Sequence, residues 1–232
     1  MNKNNYIRYQ VKKIDIIKIN YYMIHCIEHK DRLENINRAK LKLQKPIIMF
    51  DGINTKNVLL TNQHNFINNF NKDIKPNFFF KKNGQIGCYL SHFKIIENIM
   101  QNNLNTGYSV IFEDDVFFGN FLNTNINIIV SNLDDINLDF DIIFLGNCNN
   151  KKGVHLINNI YYLDDKINYW GTHALLINNK NIKKIYDLNC NILNEIDTHY
   201  VSLIKNKKLN GFIIHPSLCY QNSELISTIK KN

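Results

Sequence analysis

The chain has 232 residues, 44% hydrophobic and 21% charged, enough for one domain with a substantial core and unlike a disordered or fibrous protein. Its formal charge of +8 rests almost wholly on lysine: only Arg8, Arg32 and Arg38 supply the guanidinium forks that base-edge readout favours, so no specific nucleic-acid partner is expected. No run approaches the roughly 18 apolar residues of a membrane span, and the start lacks an apolar signal core, so a cytoplasmic or other soluble intracellular location is expected.

Residues 1–20 are set apart as an N-terminal extension of unassigned role, and 21–232 read as a single domain. Tyr21 to Ile27 is a predicted buried strand, followed by a helix from Lys30 to Leu43. Pro46 to Phe50 is a short strand ending at the turn signal Asp51-Gly52. Asn68-Asn69 and Asn147 to Asn150 read as loops, from the turn chemistry of asparagine. Ile86 to Asn102 is a predicted helix with Ile86, Leu90, Phe93, Ile96, Ile99 and Met100 on its apolar face. Ser109 to Phe112 and Phe140 to Leu145 are short β-rich runs that stop at polar residues. Thr172 to Ile177 then Asn181 to Leu188 reads as strand then helix, and Gly211 to Ile214 as a last strand before Pro216. Strands alternating with helices predict an α/β fold with a mostly parallel central sheet, whose ligands bind beyond the carboxyl ends of the strands.

Cys26, Cys88, Cys148, Cys190 and Cys219 are odd in number, widely spaced and without a Cys-x-x-Cys pair, so buried free thiols in a reducing compartment are expected.

The sharpest chemical feature is Glu113-Asp114-Asp115 at the end of Val110-Ile111-Phe112. Three successive carboxylates repel one another unless a cation or basic partners compensate, and hard oxygen ligands suit Mg²⁺ or Mn²⁺. In strand geometry Glu113 and Asp115 would face one side and Asp114 the other. An acidic turn or a helix N-terminus would favour the same residues. Ser91-His92 sits on a predicted helix, where a lone histidine is usually a packing residue. Asp197, with Glu195 two residues before it, reads as a helix-capping acid or as a base. His215 before Pro216 is a metal ligand or a turn residue, and Trp170 a core anchor or a sugar-stacking wall.

Taken in order, Gly84-Gln85-Ile86-Gly87-Cys88-Tyr89-Leu90-Ser91-His92 and Val110-Ile111-Phe112-Glu113-Asp114-Asp115 resemble glycosyltransferase family 25. So do Asp141-Ile142-Ile143-Phe144-Leu145-Gly146, Tyr169-Trp170-Gly171-Thr172, Ile196-Asp197 and Pro216-Ser217-Leu218 with Ser223 to Ser227. Met23-Ile24-His25-Cys26 with Asp31-Arg32 is similar to the family's first strand and its arginine, departing at His25-Cys26 where the family has an Asn-Leu pair. The resemblance runs from about Tyr21 to Thr228.

It implies a GT-A type, Rossmann-like fold that binds a UDP-sugar with Mn²⁺ or Mg²⁺ and inverts the anomeric centre. On this basis Asp115 is the first choice for the metal ligand, with Glu113 and His215 as further candidates. Glu113 and Asp114 would hold donor-sugar and ribose hydroxyls. His25, Arg32, His92 and Trp170 complete the expected donor side, and Asp197, with Glu195 in reserve, is the expected base. The implied donor is a UDP-hexose, galactose or glucose; the implied acceptor is hydroxylysine of a collagen-like protein or a glycan. Rivals from the residues themselves are a metal-dependent phosphoesterase or nuclease, and an inactive relative that binds nucleotide-sugar or polyanion.

Overall fold

The structure, a computed structural model, describes residues 18–102, 106–120, 122–222 and 224–225. The expectations for the N-terminal extension before residue 18, and for residues 223 and 226–228 near the end, lie outside these. In chain order the elements are β1 (Ile19–His25), α1 (Leu33–Leu43), β2 (Ile47–Asp51), α2 (Gln63–Phe70), β3 (Lys75–Pro76), α3 (Asn83–Gln101), β4 (Tyr108–Glu113), β5 (Val116–Phe118) and α4 (Leu122–Asp135). There follow β6 (Ile142–Phe144), β7 (Val154–Ile157), β8 (Ile160–Tyr162), β9 (Ala174–Asn178), α5 (Ile182–Asn189), β10 (Asn191–Ile192), α6 (Ile196–Lys205), β11 (Gly211–Ile214) and β12 (Cys219–Gln221).

Eight strands form one sheet in the order β2-β1-β4-β9-β6-β11-β8-β7. β2, β1 and β4 are mutually parallel, as are β6 and β11. β9 runs against both β4 and β6, and β8 against both β11 and β7. The α/β architecture is therefore as expected, and strand direction is mostly uniform, with β9 and β8 reversed. The reversal of β9 matters for the site: Phe112 pairs with Ala174, so the start of β9 meets the end of β4.

Successive residues of the central strands go to opposite faces, and both faces are buried. Tyr22, Ile111 and Leu175 pack with Leu90, Phe93 and Ile96 of α3 and Ile185 of α5. Their neighbours Tyr21, Met23, Val110, Phe112 and Leu176 pack with Ile36 and Leu43 of α1 and Ile126 and Val130 of α4. Helices thus cover the sheet on both sides. Removing a filled side chain such as Phe112 from this core would cost about 3–5 kcal/mol. Among the described residues no helix is long and apolar enough to cross a membrane.

Two sequence readings change here. Asn68-Asn69 is not a loop but lies within α2, which is pinned by fully buried Ile67 and by the Gln63 side chain. The Gln63 amide accepts from Phe80 N at 2.7 Å and donates to Phe80 O at 3.1 Å, and such tertiary contacts override the weak helix propensity of asparagine. None of the five cysteines forms a disulfide, but only Cys219 is buried, and Cys148 is exposed.

Candidate active site

The carboxyl ends of β1, β2 and β4 open on a cavity of about 390 Å³. Its walls are the residues after β1 (Cys26 to Arg32), the loop after β2 (Gly52 to Lys56), the first turns of α3, and the acids that end β4. The helix approaches the β2 loop so closely that a Cβ on Gly87 would stand 2.6 Å from Ile53 O, which only glycine avoids. Ser91, one turn further on, accepts a hydrogen bond from Ile53 N at 2.9 Å and donates to Gly87 O at 2.6 Å, fixing the loop against the helix.

Glu113, Asp114 and Asp115 all line this one cavity. The alternation expected of a strand fails because β4 ends at Glu113 and a turn carries Asp114 and Asp115 round to the same side. The turn is held from beneath by Asn35 of α1, whose amide donates to Asp114 O at 2.8 Å and to Val116 O at 2.9 Å. Each carboxylate has its own set of neighbours. The Glu113 Oε1 atom accepts from Thr172 Oγ1 at 2.6 Å and lies 3.0 Å from His92 Nε2. Asp114 Oδ2 is 2.9 Å from His25 Nδ1 and its Oδ1 is 3.4 Å from Arg32 Nη1. Asp115 Oδ2 is 3.2 Å from the same Arg32 nitrogen and accepts from Gln221 Nε2 at 3.1 Å. The other oxygen, Asp115 Oδ1, is buried and has no hydrogen-bond partner among the described residues.

The three acids do not share charge equally. Burial pushes Asp115 up to about 6, and the neighbouring charge of Glu113 adds to this; the Gln221 hydrogen bond and Arg32 only partly offset them. Burial also opposes the charge on Glu113, but the hydrogen bond and charge of His92, the Thr172 hydroxyl and His173 outweigh it and hold this carboxyl down to about 2. Asp114 is raised by burial despite His25 and Arg32. Glu113 is the settled anion, and Asp115 is the oxygen donor short of positive charge. A hard divalent cation at Asp115 Oδ1 would supply what is missing, so the residues present fit the expected ion.

The remaining expected residues divide. Arg32, 2% exposed, lies on the cavity wall and braces the acidic turn through Asp114 and Asp115. Asp197 lies in the first turn of α6, and its Oδ2 accepts from Gly171 N at 3.1 Å. That contact is one residue from Thr172, which ties Asp197 to the acidic corner. Glu195 accepts from Gln85 Nε2 at 3.0 Å, joining the start of α6 to the start of α3. Trp170, beside Gly171, is 46% exposed and so is not a core anchor. Asp197, Glu195, Trp170 and His215 all lie off the cavity wall. His215 is not brought to the acids: it follows β11, which β9 and β6 separate from β4, and its ring packs edge-on against Tyr161 at 6.0 Å. As a correction, it is a turn residue at the far side of the sheet order, not a member of the acidic set.

Sequence reasoning missed Asn35, Thr172 as a donor to Glu113, and Gln221. Gln221 arrives because β12 pairs antiparallel with β5, placing it opposite Val116 and so beside Asp115. No local signal marks a neutral side chain that acts across 106 positions of chain.

Residues 18–200 match the family model described as glycosyltransferase family 25 (LPS biosynthesis protein). The chain belongs to glycosyltransferase family 25. Among curated relatives of this family-25 chain, procollagen galactosyltransferase 1-A of Xenopus laevis is 28% identical over 127 residues, 54% of this chain and 20% of that protein. Procollagen galactosyltransferase 2 of Homo sapiens is 24% identical over 131 residues, again 54% of this chain and 20% of the relative. The aligned part thus spans about a fifth of the length of these relatives.

Proposed function

We propose that the chain is an inverting, metal-dependent hexosyltransferase that moves a sugar from a UDP-sugar donor to a hydroxyl acceptor. One observation carries the reading: three carboxylates line a single cavity, and the least exposed of them, Asp115, keeps one oxygen without a partner among the described residues. A volume of about 390 Å³ is within the range of small-molecule sites. Family membership turns this acidic cavity toward nucleotide-sugar chemistry rather than phosphodiester hydrolysis.

Asp115 would hold Mn²⁺ or Mg²⁺, which supplies neutralisation of the charge growing on the leaving diphosphate. The residues do the rest. Asp114, fixed by His25, and Glu113, fixed by His92 and Thr172, present anionic oxygens that orient ribose and sugar hydroxyls. Lys56 offers positive charge, and the first turn of α3, with Asn83 and Gly84 on the cavity wall, offers the N–H groups of a helix start toward phosphate. On the acceptor side Asp197 takes the hydroxyl proton as the new bond to the anomeric carbon forms and the bond to UDP breaks. Gly171 N and Thr198 N, at 3.1 and 2.7 Å, keep that carboxylate oriented. Trp170 is an exposed ring next to this base and would stack on the acceptor.

Galactose is the favoured donor sugar and hydroxylysine of a collagen-like protein the favoured acceptor, supported by relatives named procollagen galactosyltransferases; a glycan acceptor is supported by the family description. The test is a donor screen: UDP release from a panel of UDP-sugars with Mn²⁺, with hydroxylysine peptide, with oligosaccharide, or with neither. Mn²⁺-dependent release from a UDP-hexose, stimulated by one acceptor, is expected. No release from any UDP-sugar, or release from phosphodiesters instead, would contradict the proposal.

A further inference from the structure

Behind the acidic corner, one wall of the cavity carries a different ligand set. Cys88 and His92, one helical turn apart on α3, present Sγ and Nε2 to the same oxygen of Glu113, and the three ligand atoms lie within 4.8 Å of one another. We propose that Cys88, His92 and Glu113 form a second metal site, built for a borderline divalent ion of the Zn²⁺ class.

The dimensions suit such an ion. Tetrahedral zinc with Zn–S near 2.3 Å and Zn–N and Zn–O near 2.0 Å places its sulfur and oxygen ligands about 3.5 Å apart, and its nitrogen and oxygen ligands about 3.3 Å apart. Here Cys88 Sγ is 3.9 Å and His92 Nε2 is 3.0 Å from Glu113 Oε1. Small movements of one carboxylate fit both of these edges, and rotation of the Cys88 side chain sets the third, between Sγ and Nε2, which are within 4.8 Å of each other. His92 is fully buried and meets Glu113 through Nε2 at 3.0 Å. The Thr172 hydroxyl, 2.6 Å from Glu113 Oε1, provides the outer hydrogen bond that steadies a ligating carboxylate. All three ligands line the cavity, which gives the ion an entry path and leaves a fourth position for water.

The donor types set the selectivity. Thiolate, imidazole and carboxylate together favour Zn²⁺ or Co²⁺ over Mg²⁺ or Mn²⁺, whereas Asp115 with its oxygen neighbours has the opposite preference. Binding displaces one proton from the Cys88 thiol: Cys–SH and M²⁺ give Cys–S–M⁺ and H⁺. Glu113 belongs to both sets, so zinc withdraws it from the acidic corner and inhibits transfer; this consequence alone rests on the transferase reading.

Binding itself is tested without any donor. Co²⁺ is titrated into the reduced full chain while the near-ultraviolet thiolate-to-cobalt band and the visible tetrahedral bands are followed. Both should saturate at one equivalent and disappear when Zn²⁺ is added. Cys88→Ser should remove the near-ultraviolet band with an unchanged thermal unfolding midpoint, and Cys148→Ser, at the exposed thiol, should retain it. Absence of the band, its survival in Cys88→Ser, or its resistance to Zn²⁺ would each overturn the site.

Discussion

Asp141 and Asp115 are both aspartates buried at strand ends, and the sheet treats them in opposite ways. Asp141 precedes β6 at the edge away from the cavity, where Lys184 Nζ lies 2.6 Å from its carboxylate and Asn210 N donates to it at 2.6 Å. Asp115 follows β4 at the open edge, shares the Arg32 nitrogen with Asp114, and adjoins the fixed anion Glu113. Each leaves its Oδ1 without a partner among the described residues, so an orphan oxygen alone does not distinguish them. The difference is the surrounding charge and the open space. One acid has a cation of its own and closes the fold; the other has more negative than positive neighbours and a cavity in front of it.

The largest expected break in this comparison is catalytic. Asp115→Asn should lower transfer by at least about 10³-fold, the scale of several kcal/mol of charge stabilisation at the leaving group, while Asp141→Asn leaves transfer within a few-fold per folded molecule. Asp197→Asn should reduce turnover by ~10²-fold or more with donor affinity retained, which single-turnover assays beside UDP binding would resolve.

Stability should move the other way. Asp141→Asn is expected to cost about 1–3 kcal/mol in denaturant unfolding, since it breaks a pair buried on the acid's side. Asp115→Asn should stabilise the metal-free protein. The wild-type carboxyl has its folded pKa raised to about 6, above its ordinary value, so its protonated form is favoured in the fold and stability is lost as pH rises from about 4 to 6. The variant should therefore gain about 1–3 kcal/mol over wild type above pH 6, and nothing below pH 4. A difference between Asp115→Asn and wild type that is the same at pH 7 and pH 4 would remove the claim that this acid is held at a cost. The smallest effect is indirect: Gln221→Leu, which strips one hydrogen bond from Asp115 Oδ2, should weaken Mn²⁺ binding about tenfold.

Much of this corner was legible in sequence because it is local. Three acids after an apolar run, a histidine on an amphipathic helix, and an aspartate at a helix start each leave a trace within a few residues, and β11 was bounded as found. What escaped depends on pairing between distant segments. The reversed β9 brings Thr172 to Glu113, the β5–β12 ribbon brings Gln221 to Asp115, and α1 brings Asn35 beneath the turn. His215 misled for the same reason: a histidine after a strand reads alike whichever strand it follows, and β11 is separated from β4 by β9 and β6. The Asn68-Asn69 helix was hidden because its stability comes from Ile67 and Gln63 packing, not from propensity.

The central claim is that Asp115 holds a cation that in turn holds a nucleoside diphosphate. Calorimetric titration of UDP into the wild-type chain and into Asp115→Asn, each with and without Mn²⁺, tests it most directly. The account predicts tight binding only for wild type with Mn²⁺, and equally weak binding in the other three cases. Mn²⁺-dependent UDP binding that persists in Asp115→Asn would contradict it.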